Sequence, residues 1–181
     1  YRMGASGSAT DAFGAGGYTA PGTTVYAVTE EWDFTSTLAA GAWASGGNAN
    51  TSVYGRGSAG SQTANITFGG QPGNTANSET YDGSSWTEGA NINTGRTDFT
   101  SNGTSTAALG VGGVAAAEEL AIVESWNGTS WTEIADLNTN RTLGGGAGTS
   151  TAAIAAGGDG NSPGSGGQTA VTEKWNGTSW T

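Results

Sequence analysis

Apolar and polar positions alternate along several short segments of the chain. Successive residues of a strand point to opposite sides of a sheet, so in one of these segments Ile122, Glu124 and Trp126 fall on the same face. Residues 171–175 repeat this pattern. Residues 106–111 and 151–156 are small and mostly apolar, which suits a crowded inner strand. No segment has the 3.6-residue period of an amphipathic helix. The pattern therefore predicts an all-β fold of short strands.

One motif recurs four times along the chain. Its clearest copy reads Val-Glu-Ser-Trp-Asn-Gly-Thr-Ser-Trp-Thr-Glu over residues 123–133, and further copies start at positions 28, 78 and 171. A double glycine precedes each copy, and an arginine precedes each double glycine: Gly16-Gly17, Gly69-Gly70, Gly112-Gly113 and Gly157-Gly158 follow Arg2, Arg56, Arg96 and Arg141. This order predicts a single domain over 1–181, with repeats at approximately 2–55, 56–95, 96–140 and 141–181.

Each repeat is predicted to form four short antiparallel strands. Asn127-Gly128 and Asn176-Gly177 are hairpin-turn dipeptides, because Asn and Gly accept the positive φ angles that tight hairpins require. Four-stranded units at this spacing are typical of a β-propeller, in which radial repetition leaves few exposed sheet edges. A stacked β-solenoid is the alternative architecture, although its repeat is usually shorter.

Composition and charge narrow the classes of function. The chain has 34 Gly among 181 residues, no Cys, no His, and a formal net charge of −10 with only five cationic residues. An acidic chain without a basic patch repels phosphates, so nucleic acid is not an expected partner. No apolar run approaches the roughly 20 residues of a membrane-spanning helix, so we expect no membrane insertion.

The missing residue types also bear on chemistry. Without His or Cys the chain has no Ser-His-Asp triad, no thiol nucleophile, and no ordinary ligands for zinc or copper. The adjacent pair Glu118 and Glu119 points to opposite faces of a strand and cannot converge on a substrate. We therefore expect a protein that is not an enzyme, with no catalytic residues, no metal and no cofactor.

The motif resembles the kelch repeat. The shared features are the double glycine, the Glu-x-aromatic-Asp/Asn group, a Trp about five residues later and an Arg about ten residues beyond it. The resemblance implies a kelch-like β-propeller of four-stranded antiparallel blades. Kelch rings usually have more than four blades, so the motifs belong either to part of a larger ring or to a closed form with fewer blades. The chain starts next to the motif Arg2 and ends just after Trp180, which suits closure of one blade by both termini, although truncation of a longer propeller would give the same ends.

Two motif positions have a structural and a functional interpretation. Glu30, Glu79, Glu124 and Glu173 are either a ring of acidic ligands or partners of the motif arginines. Equal numbers in a fixed order favour pairing, since a half-buried carboxylate requires a partner. The motif Trp and Tyr residues are either sugar-stacking platforms or core. The small size of their neighbours favours core packing.

The expected function is binding or structural support. The Gly-, Thr- and Asn-rich style of residues 172–181 is similar to repeats in bacteriophage virion proteins, where they form tail fibres and other appendages. This resemblance implies a virion or extracellular protein that contacts other virion proteins or a host-surface protein or glycan, with a homo-oligomer as an open option. The alternative is a secreted or cellular kelch-type propeller that binds protein or carbohydrate.

In either setting, the loops after the double glycines are the expected binding sites, because recognition usually lies in variable loops on a rigid scaffold. These loops differ between otherwise similar repeats. The candidate binding residues are Tyr18, Thr19, Gln71, Asn74, Glu118, Glu119, Asp159 and Asn161.

Overall fold

The structure is a computed structural model that describes residues 4–7, 11–16, 27, 29–33, 42–160 and 167–181. Within these ranges every regular element is a β-strand and no helix occurs. The strands are β1 (Gly4–Gly7), β2 (Asp11–Ala15), β3 (Thr29–Asp33), β4 (Ala42–Ser45), β5 (Gly57–Ser61), β6 (Ala64–Phe68), β7 (Ser78–Tyr81), β8 (Trp86–Glu88), β9 (Thr100–Thr104), β10 (Ala107–Val111), β11 (Val114–Ala115), β12 (Glu118–Glu119), β13 (Val123–Trp126), β14 (Trp131–Ile134), β15 (Gly145–Gly148), β16 (Ala153–Ala156) and β17 (Thr172–Trp175).

The strands form four main antiparallel sheets, each drawn from one continuous stretch of chain. Sheet 1 has the order β1-β2-β3-β4, sheet 2 the order β5-β6-β7-β8, and sheet 3 the order β9-β10-β13-β14. Sheet 4 has the order β15-β16-β17, and its outer edge continues through a bridge between Trp175 and Trp180. The hairpin β11-β12 is inserted between β10 and β13. The predicted all-β antiparallel fold is confirmed. No closed barrel or propeller is seen in the described part of the chain.

The double glycines turn the chain at the end of the second strand in sheets 2, 3 and 4. Gly112 and Gly113 have φ angles of 62° and 104°, and the pairs at 69–70 and 157–158 have similar values. A Cβ on Gly113 would lie 2.7 Å from the carbonyl oxygen of Thr97. Positive φ and this close backbone approach both require glycine. The turn allows Val114 to pair with Thr97 through N–H···O bonds of 2.8 and 3.0 Å.

The Asn-Gly turns differ from the prediction in one respect. Gly128 has a φ of 94°, but Asn127 is not among the described residues with positive φ. Instead, the Asn127 Oδ1 accepts hydrogen bonds of 2.9 Å from the backbone N–H groups of Thr129 and Ser130. The prediction of positive φ at Asn was wrong because four residues, not two, separate the paired Trp126 and Trp131. In this longer loop the Asn acts through its side chain.

Consecutive sheets stack through their first strands: β1 contacts β5, β5 contacts β9, and β9 contacts β15. We call the side of a sheet that faces the next sheet along the chain its forward face, and the opposite side its backward face. Leu109, Val111 and Val123 on the forward face of sheet 3 cluster with Ala155 and Trp175 on the backward face of sheet 4. Equivalent clusters join sheet 2 to sheet 3 and sheet 1 to sheet 2.

The motif aromatics of sheets 2, 3 and 4 lie in these clusters, as predicted. The buried rings are Tyr81, Trp86, Trp126, Trp131, Trp175 and Trp180. Paired rings on neighbouring strands are in contact, with centroids 4.9 to 5.4 Å apart. Aromatic pairs at this distance add to the stability gained by burial alone. The core therefore lies between sheets rather than inside any one of them.

A buried carboxylate on the backward face anchors the segment that connects each sheet to the next. Glu124 of sheet 3 accepts hydrogen bonds from the backbone N–H groups of Asn93 and Thr94, at 2.7 and 3.2 Å, and from the guanidinium of Arg96. Arg96 also donates to the carbonyl oxygens of Thr94 and Gly112. Burial lowers the pKa of Arg96, and its hydrogen bond with Glu124 opposes this effect. We call this arrangement the connector clamp.

The connector clamp recurs in sheets 2 and 4. Glu173 accepts from Asn138, Thr139 and Arg141, and Glu79 accepts from the backbone N–H groups of Asn50 and Thr51. The predicted Glu-Arg pairing is confirmed as a direct ion pair in sheets 3 and 4. Arg2, the arginine predicted for the first repeat, lies outside the described residues.

Arg56 occupies a different register from the other motif arginines. The bridges Tyr54–Gln71 and Thr97–Val114 show that Val53, not Arg56, is equivalent to Arg96. Arg56 nevertheless donates to the carbonyl oxygen of Thr51 at 2.7 Å, as Arg96 does to Thr94. Burial lowers the pKa of Arg56, and electrostatic attraction to Glu79 opposes this effect. The guanidinium thus reaches the clamp from a backbone position three residues later.

Candidate functional site

A cleft of about 320 Å³ opens between the loops that follow the double glycines of sheets 2 and 3. This volume lies in the usual range for a small-molecule site. The lining residues are Tyr54, Gln71, Asn74, Thr97, Asp98, Val114, Ala115, Ala116 and Ala117. The cleft is therefore built by two neighbouring repeats.

One wall of the cleft is the loop after Gly69-Gly70. Gln71 is held by backbone hydrogen bonds of 2.8 and 2.9 Å with Tyr54. The Gln71 Oε1 accepts from the N–H of Gly73 at 2.8 Å, and its Nε2 donates to the Oδ1 of Asn74. Asn74 has a φ of 50°, a conformation that Asn tolerates better than most residues. The two amides are thus fixed relative to one another before any ligand arrives.

The opposite wall is the hairpin β11-β12, in which Val114 pairs with Glu119 and Ala115 with Glu118. Its two turn residues, Ala116 and Ala117, have φ angles of 51° and 67°. Two successive residues with positive φ define a turn that normally requires Asn-Gly or a similar pair. Alanine is strained in this conformation. Strain that persists at a cleft is a feature of functional loops.

The floor of the cleft is the segment after Arg96. Thr97 donates from its Oγ1 to the carbonyl oxygen of Gly55 at 3.0 Å, and Asp98 donates from its N–H to the same oxygen at 2.7 Å. These bonds join the floor to the preceding repeat. Asp98 is the only charged residue among the residues that line the described cleft. The field in the cleft therefore favours neutral or cationic groups and disfavours anions.

The structure places the eight candidate residues in different surroundings. Gln71 and Asn74 line the cleft. Glu118 and Glu119 lie in β12, beside the turn that lines it, and the carbonyl oxygen of Glu119 accepts from the Asn140 side chain at 3.2 Å. Asp159 bridges Thr142 and Gln168 in the next repeat and does not line the cleft. Tyr18, Thr19 and Asn161 lie outside the described residues.

Sequence reasoning missed two features. Tyr54, Thr97 and Asp98 line the cleft although they lie before Gly69-Gly70 or Gly112-Gly113 and not in the loops after them, because cross-strand pairing brings them to the same rim. The second feature is the connector clamp. Its sequence signal is an apolar residue followed by Asn-Thr, present at 49–51, 92–94 and 137–139. Ala49, Ile92 and Leu137 of these triplets are buried against the next sheet.

Neither the structure nor the similarity of the chain to known proteins assigns a function directly. Among the described residues, no group of three or more His, Cys, Asp or Glu side chains is arranged to hold a metal ion. No helix in that part of the chain has the length and apolar character of a membrane span. The chain matches no protein-family model, and no curated protein is similar to it.

Proposed function

We propose that this chain is a non-enzymatic binding module, folded as all or part of a kelch-like β-propeller, that recognises a neutral glycan in the cleft between sheets 2 and 3. The propeller is supported by three four-stranded sheets and a fourth sheet of three strands. It is also supported by stacking of consecutive sheets through their first strands. This arrangement is the one that radial repetition requires.

The observation that carries the proposal is the chemistry of the cleft. Gln71 and Asn74 supply amide groups that both donate and accept hydrogen bonds, which matches the dual character of sugar hydroxyls. Tyr54 adds an aromatic side chain with a polar end. No cation lines the described cleft, so phosphate and sulfate groups have no counter-charge there. A neutral polyhydroxylated ligand fits this set of groups best.

We place this module on the surface of a virion, as part of a bacteriophage fibre or other appendage that contacts a host-surface glycan. The support is compositional: low charge and a high content of Gly, Thr and Asn. A rigid scaffold with short loops presents its binding groups without a large ordering cost. The test of this placement is labelling of purified virions from the source by antibodies against the chain; unlabelled virions would contradict it.

The cleft itself is tested by glycan-array screening followed by calorimetry on the best neutral glycan. Asn74→Gly suits the positive φ of this position and removes the amide, so the backbone conformation is allowed while the Asn74 amide and its bond with Gln71 are lost. Loss of one neutral hydrogen bond predicts an approximately threefold to tenfold weaker Kd. Thr132→Ala, at an exposed position of β14, is the control and should bind like the parent. Equal binding by the Asn74 variant, or binding only of sulfated glycans, would refute the assignment.

A further inference from the structure

The forward faces of the sheets differ in exposure at equivalent positions. Ile66 of sheet 2, Leu109 of sheet 3 and Ile154 of sheet 4 are equivalent, because they pair with Ala59, Asn102 and Ala147 at the same step of each first hairpin. Ile66 and Leu109 are 0% exposed, whereas Ile154 is 40% exposed. The sequence keeps a large apolar residue here, but in the described chain no further sheet packs over it, and it stays partly exposed.

The rest of the forward face of sheet 4 is exposed too. All residues of β15 are exposed, whereas four of the five residues in each of β5 and β9 are buried or half-buried. Gly145 and Ala147 of β15 correspond to Thr100 and Asn102 of sheet 3, and Thr100 donates to the carbonyl oxygen of Gly144 at 3.0 Å across the interface. Sheet 4 thus carries one half of an interface that the chain forms elsewhere.

The other half lies on the backward face of sheet 1. In sheets 2, 3 and 4 the clamp glutamates Glu79, Glu124 and Glu173 are 2%, 0% and 3% exposed. Their equivalent in sheet 1, Glu30, is exposed. Glu30 pairs with Gly14, as Glu124 pairs with Gly110, so both belong to the backward face. No sheet of the described chain precedes sheet 1 to cover this side.

The two uncovered faces carry opposite charges. Lys174, the only lysine of the chain, lies on the forward face of sheet 4, where it pairs with Ile154 and is exposed. Glu30 lies on the backward face of sheet 1. Opposite charges on two surfaces favour their encounter and fix their orientation. The charges are therefore consistent with contact between these two faces, as their exposure also suggests.

We propose that the forward face of sheet 4 binds the backward face of sheet 1 of a second copy of this chain. The contact continues the stacking that already joins sheet 1 to 2, 2 to 3, and 3 to 4. It is heterologous, since each copy contributes a different surface. Such a contact produces a ring if the rotation closes and an open assembly if it does not. The inference does not depend on what the cleft binds.

The test is sedimentation velocity of the 181-residue chain over a range of concentrations. The parent should associate as concentration rises, and Ile154→Asp should weaken association by at least about tenfold, as expected for a central apolar contact. Val171→Asp is the matched control. Val171 has a similar exposure of 45% and directly precedes β17, but by strand alternation it points to the opposite side. It should associate like the parent.

Charge reversal and labelling provide a second measurement. Lys174→Glu and Glu30→Lys should each weaken association, and the double variant should restore at least part of it. Because the chain contains no cysteine, an Ile154→Cys variant can be labelled with a maleimide at one site. Its labelling should slow as concentration rises. A parent that stays monomeric at every concentration would overturn the proposal. In that case, slow labelling of Ile154→Cys would mean that the face is covered within one chain, and fast labelling would mean that it stays uncovered. Equal association by the Ile154→Asp and Val171→Asp variants would overturn it as well.

Discussion

The connector clamp of sheet 3 makes a quantitative prediction for Glu124→Gln. The carboxylate accepts from the N–H groups of Asn93 and Thr94, from the Asn93 side chain at 2.8 Å, and from Arg96. An amide in its place removes the counter-charge of a fully buried guanidinium. It also directs two N–H donors toward other donors. Every partner of the side chain is therefore affected by the change.

The expected cost follows from these contacts. Breaking a buried ion pair by removing one charge costs about 3–5 kcal/mol. For a domain of this size, each kcal/mol lowers Tm by about 2–4 °C, so Tm should fall by about 6–20 °C. Glu79→Gln is the internal comparison. Arg56 donates to Thr67 and Thr51 and only attracts Glu79 electrostatically, so this variant breaks no direct ion pair. The amide oxygen still accepts one of the two backbone bonds, and loss of the other charge-assisted bond should cost about 1.5–3 kcal/mol.

The assay is equilibrium urea unfolding at pH 7, followed by tryptophan fluorescence and far-UV circular dichroism. Glu173→Gln, whose carboxylate is paired with Arg141, should resemble Glu124→Gln. The reasoning fails if Glu79→Gln is as destabilising as the other two variants, because the direct ion pair would then contribute nothing beyond the backbone bonds. It also fails if Glu124→Gln costs less than about 1 kcal/mol.

Three further changes test local features. Ala116→Asn with Ala117→Gly supplies the residues that two successive positive φ angles favour and should raise the unfolding free energy by about 1–2 kcal/mol, measured by urea unfolding. Asp82 has a pKa well below its usual range, chiefly because the Ser85 N–H donates to it, so it contributes stability above about pH 4 that is lost as pH falls through the folded pKa. Asp82→Asn should therefore flatten the acid limb of the stability profile, measured by urea unfolding from pH 7 to pH 2. Gly113→Ala should cost about 2–4 kcal/mol, measured in the same way, because the new Cβ is both strained and 2.7 Å from a carbonyl oxygen.

Two of these changes have a matched control. Ala170→Gly, at an exposed position that is not among those with positive φ, should destabilise by about 0.5–1 kcal/mol, opposite in sign to the turn substitution. Gly73 also has a positive φ, 86°, but a Cβ added there would have nothing within 4 Å. Gly73→Ala should therefore lower the free energy of unfolding by less than Gly113→Ala. An acid profile of Asp82→Asn identical to that of the parent would contradict the role assigned to the carboxylate.

The sequence was most informative where one residue type has one physical use. Double glycines mark turns with positive φ, so the ends of the second strands could be predicted. Trp among small residues marks the core, so the aromatic clusters could be predicted as well. Arg56 was misplaced because only pairing between strands reveals that Val53 holds the equivalent position. Gln71 and Asn74 were found because they lie in the loop that follows a double glycine. Tyr54 and Asp98 were not, since they reach the cleft through contacts between repeats.

The connector clamp explains why the loops, and not the motif, are free to specialise. The segment that leaves one sheet carries Asn93, Thr94 and Arg96, and these groups bind the carboxylate of the next sheet. A change at any of these clamp positions therefore disturbs two sheets, whereas the side chains of Gln71 and Asn74 bond within their own loop. The cleft lies between two such loops, and its floor is fixed by the same connector that forms the clamp. Its shape can thus vary with loop sequence while the distance between its walls is held by the buried ion pair.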